Sequence, residues 1–146
     1  MTYFDTAYLL KCYLNEKGSE DVRSFARQQE LIACCEYGRM ELLAAFHRNL
    51  REGKIDRHYF ETLIAQLEWD DEDHIWNWLP LNRNINVGVA NAFRSLPASG
   101  YLRTGDAIHL CCAREYGIEE IYTNDTHVLK AAECFQLRGK NIIRNE

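Results

Sequence analysis

Apolar residues change period along this chain, and each change marks an element. Thr2, Tyr3 and Phe4 form a short β-prone run. After Thr6 the apolar residues Ala7, Tyr8, Leu9, Leu10, Cys12, Tyr13 and Leu14 recur at helical spacing and stop near Gly18. A second helix is expected over residues 19–29, and the apolar run 31–35 suits a buried strand. From residue 36 to about 51 the helical pattern returns, with Met40, Leu43, Phe46 and Leu50 along one face, until Gly53 breaks it. Asp56 can cap a further helix through Leu67. Residues 74–79 alternate polar and apolar as a half-buried strand or extended connection would, and Pro80 closes them.

Residues 84–96 have a helical pattern ended by Pro97 and Gly100. The remainder predicts a helix over 104–116, a strand over 119–123, a helix over 126–132 and a closing strand over 141–143. Strands separated by helices indicate an α/β fold, a mostly parallel sheet with helices on both faces. With 146 residues and 47% hydrophobic composition, one core is affordable and two are not, so residues 1–146 are expected to be a single domain.

No segment approaches the roughly 18 to 20 apolar residues of a membrane span, and no signal core follows Met1, so a soluble cytoplasmic protein without a membrane partner is expected. The six cysteines include two adjacent pairs, Cys34-Cys35 and Cys111-Cys112, inside apolar runs, and lack any Cys-x-x-Cys. They are read as small buried hydrophobes rather than as a redox or zinc motif. The net charge of -5, from 22 acidic and 17 basic residues, argues against phosphate binding by a basic surface. That objection weakens if several acids hold a divalent cation, which reverses the local field.

Asp5 and Asp125 each stand where a strand ends and a helix begins, the place where ligands bind in open α/β sheets. Taken alone, each is equally well explained as a helix cap. Asp106 opens an almost wholly apolar helix, where its plain use is to complement the helix dipole. Glu41 lies among Met40, Leu42, Leu43 and Ala44, and alone would be a solvated helix position like Glu36, Glu52 and Glu61.

Together the four acids form a pattern. Tyr3-Phe4-Asp5-Thr6-Ala7-Tyr8-Leu9-Leu10, Glu41-Leu42-Leu43-Ala44-Ala45-Phe46, Leu102-Arg103-Thr104-Gly105-Asp106-Ala107-Ile108-His109-Leu110 and Tyr122-Thr123-Asn124-Asp125-Thr126-His127-Val128 occur in this order. They resemble the acidic motifs of the PIN-domain ribonucleases, in the compact VapC-type toxin branch of type II toxin-antitoxin systems. The resemblance runs from end to end and implies a three-layer α/β/α fold with Asp5, Glu41, Asp106 and Asp125 gathered in one site. It further implies hydrolysis of RNA phosphodiester bonds, a homodimer and a cognate antitoxin protein. Ala7 stands where many relatives carry a hydroxyl or amide, so a hydrogen bond to the first aspartate is expected to be missing.

Converging carboxylates about 4 Å apart repel by roughly 4 kcal/mol per pair at an effective dielectric near 20. A hard cation relieves this, and an all-oxygen set points to Mg²⁺ or Mn²⁺ before zinc. Asp5 and Asp106 are expected as direct ligands, Glu41 and Asp125 as direct or water-mediated ones, and Thr6, Thr123 and Asn124 as residues orienting them. His109 is read as a hydrogen-bonded histidine rather than a base. Arg39, Arg48, Arg103 and Lys54 are candidates for guiding phosphates. The acidic run from Glu68 to Asp73 lacks the glycine and glutamate of a calcium loop and is read as a solvated turn, with Trp69, Trp76 and Trp78 beside it used for core or interface packing rather than for stacking bases.

Two rival functions carry different signatures. A haloacid-dehalogenase-type phosphatase would need a second aspartate where Ala7 stands. A catalytically degenerate PIN fold that only binds RNA or protein would not require all four acids.

Overall fold

The computed structural model of the chain describes residues 1–144. Five strands alternate with helices: β1 (Thr2–Phe4), α1 (Thr6–Tyr13), α2 (Ser19–Ala26), β2 (Ile32–Cys35), α3 (Glu36–Arg51), α4 (Arg57–Glu72), β3 (Trp76–Leu79), α5 (Arg83–Ser95), α6 (Thr104–Glu115), β4 (Glu120–Tyr122), α7 (Thr126–Ala131), a 3-10 turn (Ala132–Phe135) and β5 (Arg138–Lys140). The sheet order is β3-β2-β1-β4-β5. Every pairing is parallel, so the expected mostly parallel sheet is wholly parallel within an α/β/α fold.

That order places the site. From β1 the chain adds β2 and β3 on one side, then returns to lay β4 and β5 on the other, so the winding reverses between β1 and β4. Side chains leaving the carboxyl ends of these two neighbours open into the crevice created by the reversal. Asp5 follows β1, and Thr123 to Asp125 follow β4. The register brings Phe4 opposite Tyr122, and the backbone N–H of Asp5 continues the ladder to the Tyr122 carbonyl at 3.1 Å.

The strands at the centre of the sheet are covered on both faces. Tyr3, Phe4, Ala33, Cys34, Cys35 and Ile121 are inaccessible to solvent, and β2 is buried along its whole length. These residues join Tyr8 and Leu9 of α1, Leu42 and Phe46 of α3 and Leu110 of α6 in one hydrophobic cluster. α1 packs on α2 and α3, and α5 packs on α6. No helix of the described residues is long and apolar enough to cross a membrane.

Some of these expectations are corrected. The last strand is Arg138–Lys140 rather than residues 141–143. Gly139 pairs with Ile121 there, and a Cβ at Gly139 would stand 3.1 Å from Leu129 Cδ2, so only glycine fits so close to α7. Asn141 instead accepts the Tyr8 hydroxyl at 2.6 Å, and that hydroxyl accepts the Ile142 N–H at 2.8 Å. The acidic run is no solvated turn: most of it is the last turns of α4. Asp70 accepts the Tyr13 hydroxyl at 2.5 Å, and Asp71 accepts Trp78 Nε1 at 2.7 Å. Arg39 is committed to Asp71 through two N–H groups at 2.7 and 3.0 Å, which removes it as a free phosphate guide. Of the tryptophans, Trp76 is buried but Trp69 is exposed. Finally, Cys134 is exposed and Cys12 only half-buried, whereas Cys34, Cys35, Cys111 and Cys112 are buried as expected.

Candidate active site

Asp5 and Asp125 serve two purposes at once, one with each carboxylate oxygen. Oδ1 of Asp5 caps α1 by accepting the Tyr8 N–H at 3.0 Å, and Oδ1 of Asp125 caps α7 by accepting the His127 N–H at 2.8 Å. The capping explanation is therefore correct as far as it goes. It leaves the second oxygen of each residue outside the cap and available to other partners. Oδ2 of Asp5 accepts the Thr123 hydroxyl, and the same hydroxyl oxygen accepts the Asp125 N–H at 2.9 Å. Thr123 thus ties the end of β1 to the start of α7. It supplies Asp5 with the hydroxyl that Ala7 cannot, and it is completely buried.

Asp106 comes in from the first turn of α6. Its Oδ2 accepts Arg103 Nε at 3.3 Å, while Arg103 Nη2 reaches Asp125 Oδ2 at 2.6 Å. One guanidinium therefore bridges the third and fourth acids. Arg103 occupies the N-cap position of α6 but does not cap it with its side chain, so its charge is available to the carboxylates. Its side chain remains 60% exposed, free to leave along the surface.

Glu41 reaches the same region from α3. Its Oε1 accepts the Thr6 hydroxyl at 2.8 Å and lies 2.6 Å from His109 Nε2. Gly105 leaves room for this approach, since a Cβ there would stand 3.1 Å from Glu41 Oε2 and push it by a few tenths of an ångström. Thr6 consequently orients Glu41 rather than Asp5, and Asn124 is exposed. Three of the acids are thus joined in a row by named bridges, Thr123 between Asp5 and Asp125 and Arg103 between Asp125 and Asp106, while Glu41 is held separately by Thr6 and His109.

Burial pushes the Asp5 carboxyl up to about 6. His109, the Thr123 hydroxyl and the Tyr8 N–H pull the other way, and the charge of Asp125 adds to the rise. A carboxylate buried at 6% exposure beside another negative charge is a group that a cation would stabilise. The donors are all oxygens, as a hard cation prefers. They are not drawn into a tight cage: among the described residues, the one group of three or more His, Cys, Asp and Glu ligand atoms within 4.8 Å of one another is Cys34, Cys35 and His109. An open carboxylate set suits a hard divalent cation bound through one or two carboxylates with water completing the shell.

His109 was legible as a hydrogen-bonded residue, but its centrality was not. It is 3% exposed, and its Nδ1 lies 2.7 Å from the Tyr3 hydroxyl. Burial alone would lower its pKa, yet the net shift is upward because Cys35 and Glu41 favour the protonated ring. The available signal was spacing: Arg103, Asp106 and His109 follow at intervals of three, which lays them along one side of a helix start.

Solved structures share this fold at low identity. FitAcB from Neisseria gonorrhoeae is matched with a TM-score of 0.74 and 16% identity over 97% of both chains. FitAB bound to an IR36 DNA fragment is matched with a TM-score of 0.71 and 13% identity, covering 100% of this chain and 98% of the other. A member of the VapBC family of toxin-antitoxin systems, VapBC-5 from Mycobacterium tuberculosis, is matched with a TM-score of 0.60 and 14% identity over 98% of both chains. No curated protein matches the chain in sequence. The PIN domain model matches residues 2–133, nearly the whole chain with the four acids inside it, and the protein belongs to the PIN domain family.

Proposed function

We propose that this protein is a Mg²⁺- or Mn²⁺-dependent endoribonuclease that acts as the toxin of a toxin-antitoxin module. The observation that carries the reading is the meeting of Asp5, Asp106 and Asp125 through Thr123 and Arg103 at the point where the sheet reverses its winding. A structural neighbour from a toxin-antitoxin system supports the biological role, and the family match supports nuclease chemistry.

In this reading Asp5 and Asp106 are the direct metal ligands, with Glu41 and Asp125 holding the ion directly or through water. A bound divalent ion would lower the pKa of its water and offset charge on the scissile phosphate. The chain's own residues prepare that site. Thr123 fixes the free oxygen of Asp5, Thr6 and His109 fix Glu41, and Arg103 neutralises Asp106 and Asp125 until a cation or phosphate takes its place. RNA is the substrate, a small antitoxin protein is the partner that silences the site, and the working form is a homodimer.

Asp106→Asn provides the test. It preserves shape and removes the charge, so RNA cleavage with Mn²⁺ should fall by at least about 100-fold while the melting temperature stays near that of the parent. A nuclease-free preparation of the variant that still cleaves RNA at the parent rate overturns the assignment. A parent that binds RNA and metal but never cleaves would instead mark a binding module.

A further inference from the structure

Behind Glu41, on the core side of His109, lies a second group of ligand atoms chemically unlike the carboxylates. Cys34 and Cys35 end β2, where the strand gives way directly to α3. Their sulfurs and a ring nitrogen of His109 lie within 4.8 Å of one another, and all three residues are buried. Cys112, one turn of α6 after His109, is a buried neighbour of Cys35, but its sulfur is not within 4.8 Å of all three of those atoms.

The spacing suits a tetrahedral soft-metal centre. With Zn–S near 2.3 Å and Zn–N near 2.0 to 2.1 Å, the sulfur and nitrogen corners of a tetrahedron stand about 3.6 Å apart. Cys35 Sγ and His109 Nδ1 are 3.6 Å apart. The other ring nitrogen has an acceptor of the kind that orients metal-bound imidazoles, here a carboxylate: His109 Nε2 is 2.6 Å from Glu41 Oε1. With Nε2 carrying the proton toward Glu41, Nδ1 presents its lone pair to the thiols. Tyr3, whose hydroxyl now lies against Nδ1, keeps the Cys35 N–H as a donor at 3.2 Å and is not left unpartnered if it yields the nitrogen.

We propose that Cys34, Cys35 and His109 bind one thiophilic cation, Zn²⁺ foremost, separate from the carboxylate site, with the neighbouring Cys112 drawn in as fourth ligand. Binding displaces the thiol protons and the Nδ1 proton of a charged His109 ring to solvent and leaves the imidazole neutral. Because His109 holds Glu41, an ion at this centre fixes that glutamate from behind.

Cobalt reports the site. Reduced, metal-stripped full-length protein titrated anaerobically with Co²⁺ should develop sulfur-to-metal charge transfer in the near ultraviolet and strong tetrahedral absorption in the visible, saturating near one ion per chain. Zn²⁺ should bleach both. Cys35→Ala and Cys112→Ala should weaken binding by at least about tenfold, whereas Asp5→Asn and Asp106→Asn should leave the spectrum unchanged. Parent protein that shows no sulfur charge transfer overturns the proposal without needing any variant to fold. A folded Cys35→Ala protein with the parent spectrum overturns it as well. The readout is independent of RNA cleavage, so a parent without nuclease activity would remove the proposed function and leave this site standing.

Discussion

The hydroxyl of Thr123 donates to Oδ2 of Asp5 across 118 residues of chain, inside the protein. Its oxygen also accepts the Asp125 N–H. Replacing it with valine keeps the shape but leaves a buried carboxylate without a donor and a backbone N–H without an acceptor. The cost should be about 1 to 3 kcal/mol. For a domain of this size that is a melting-temperature drop of roughly 3 to 10 °C. Thr123→Ser should retain most of the stability and the cleavage rate. Equal melting temperatures for the valine and serine variants would contradict this role.

The raised pKa of Asp5 has a definite sign in stability. Its folded value of about 6 stands above the ordinary 3.8, so between about pH 4 and 6 the folded chain holds a proton that the unfolded chain has released. Stability contributed by this group is therefore full below about pH 4, falls as the pH rises to 6, and is level above about 7, a total on the order of 3 kcal/mol. Asp5→Asn keeps the helix cap but cannot titrate. In chelator, the parent's stability relative to the variant should decline across that window in urea unfolding; a difference that stays flat from pH 4 to 7 would refute it. Added Mg²⁺ should recover stability in the parent at pH 7 and not in the variant.

Arg103 competes with any cation for Asp106 and Asp125. Its side chain is more than half exposed, so its ion pairs contribute at most about 1 kcal/mol. Arg103→Ala should accordingly tighten Mn²⁺ binding by up to about fivefold in calorimetric titration. Arg103→Lys should stay closer to the parent. Weaker Mn²⁺ binding in the alanine variant would show that Arg103 supports the cation rather than displacing it.

Gly105→Ala separates activity from folding. Position 105 is helical, and alanine is favoured there over glycine by up to about 1 kcal/mol. The added Cβ would press on Glu41 Oε2 and on Tyr37 Cε1 at 3.1 and 3.3 Å. Melting temperature should stay level or rise while RNA cleavage falls by about tenfold or more. Unchanged cleavage would mean that Glu41 need not hold its observed position.

Element positions were legible in the sequence because they follow from local chemistry. The helical period after Thr6, the caps at Asp5 and Asp56 and the breaks at Gly53 and Pro80 each act within a few residues, and each element formed close to where those signals place it. Asp5, Asp106 and Asp125 were singled out for the same reason, as residues at strand ends or helix starts, and Glu41, inside a helix, by the joint pattern that resembles a family. Where signals conflict over a few residues, local reading failed: residues 141–143 are the more β-prone, yet β5 forms at Arg138–Lys140, because Gly139 is what permits close packing on α7.

Which chemistry each residue performs depended on neighbours far away in sequence. That Thr6 serves Glu41 while Thr123 serves Asp5 follows from β4 lying beside β1 and from the approach of α3, and neither appears in any window of residues. The buried cysteines read as apolar in sequence because burial is a property of their runs. Their meeting with His109 is a property of β2 and α6 packing together. The sequence by itself determined where helices and strands begin and which acids stand at their ends, since caps and periodicity act over one or two turns. Strand order and side-chain partnership were decided only by the tertiary structure, because they arise from burying all the apolar faces at once.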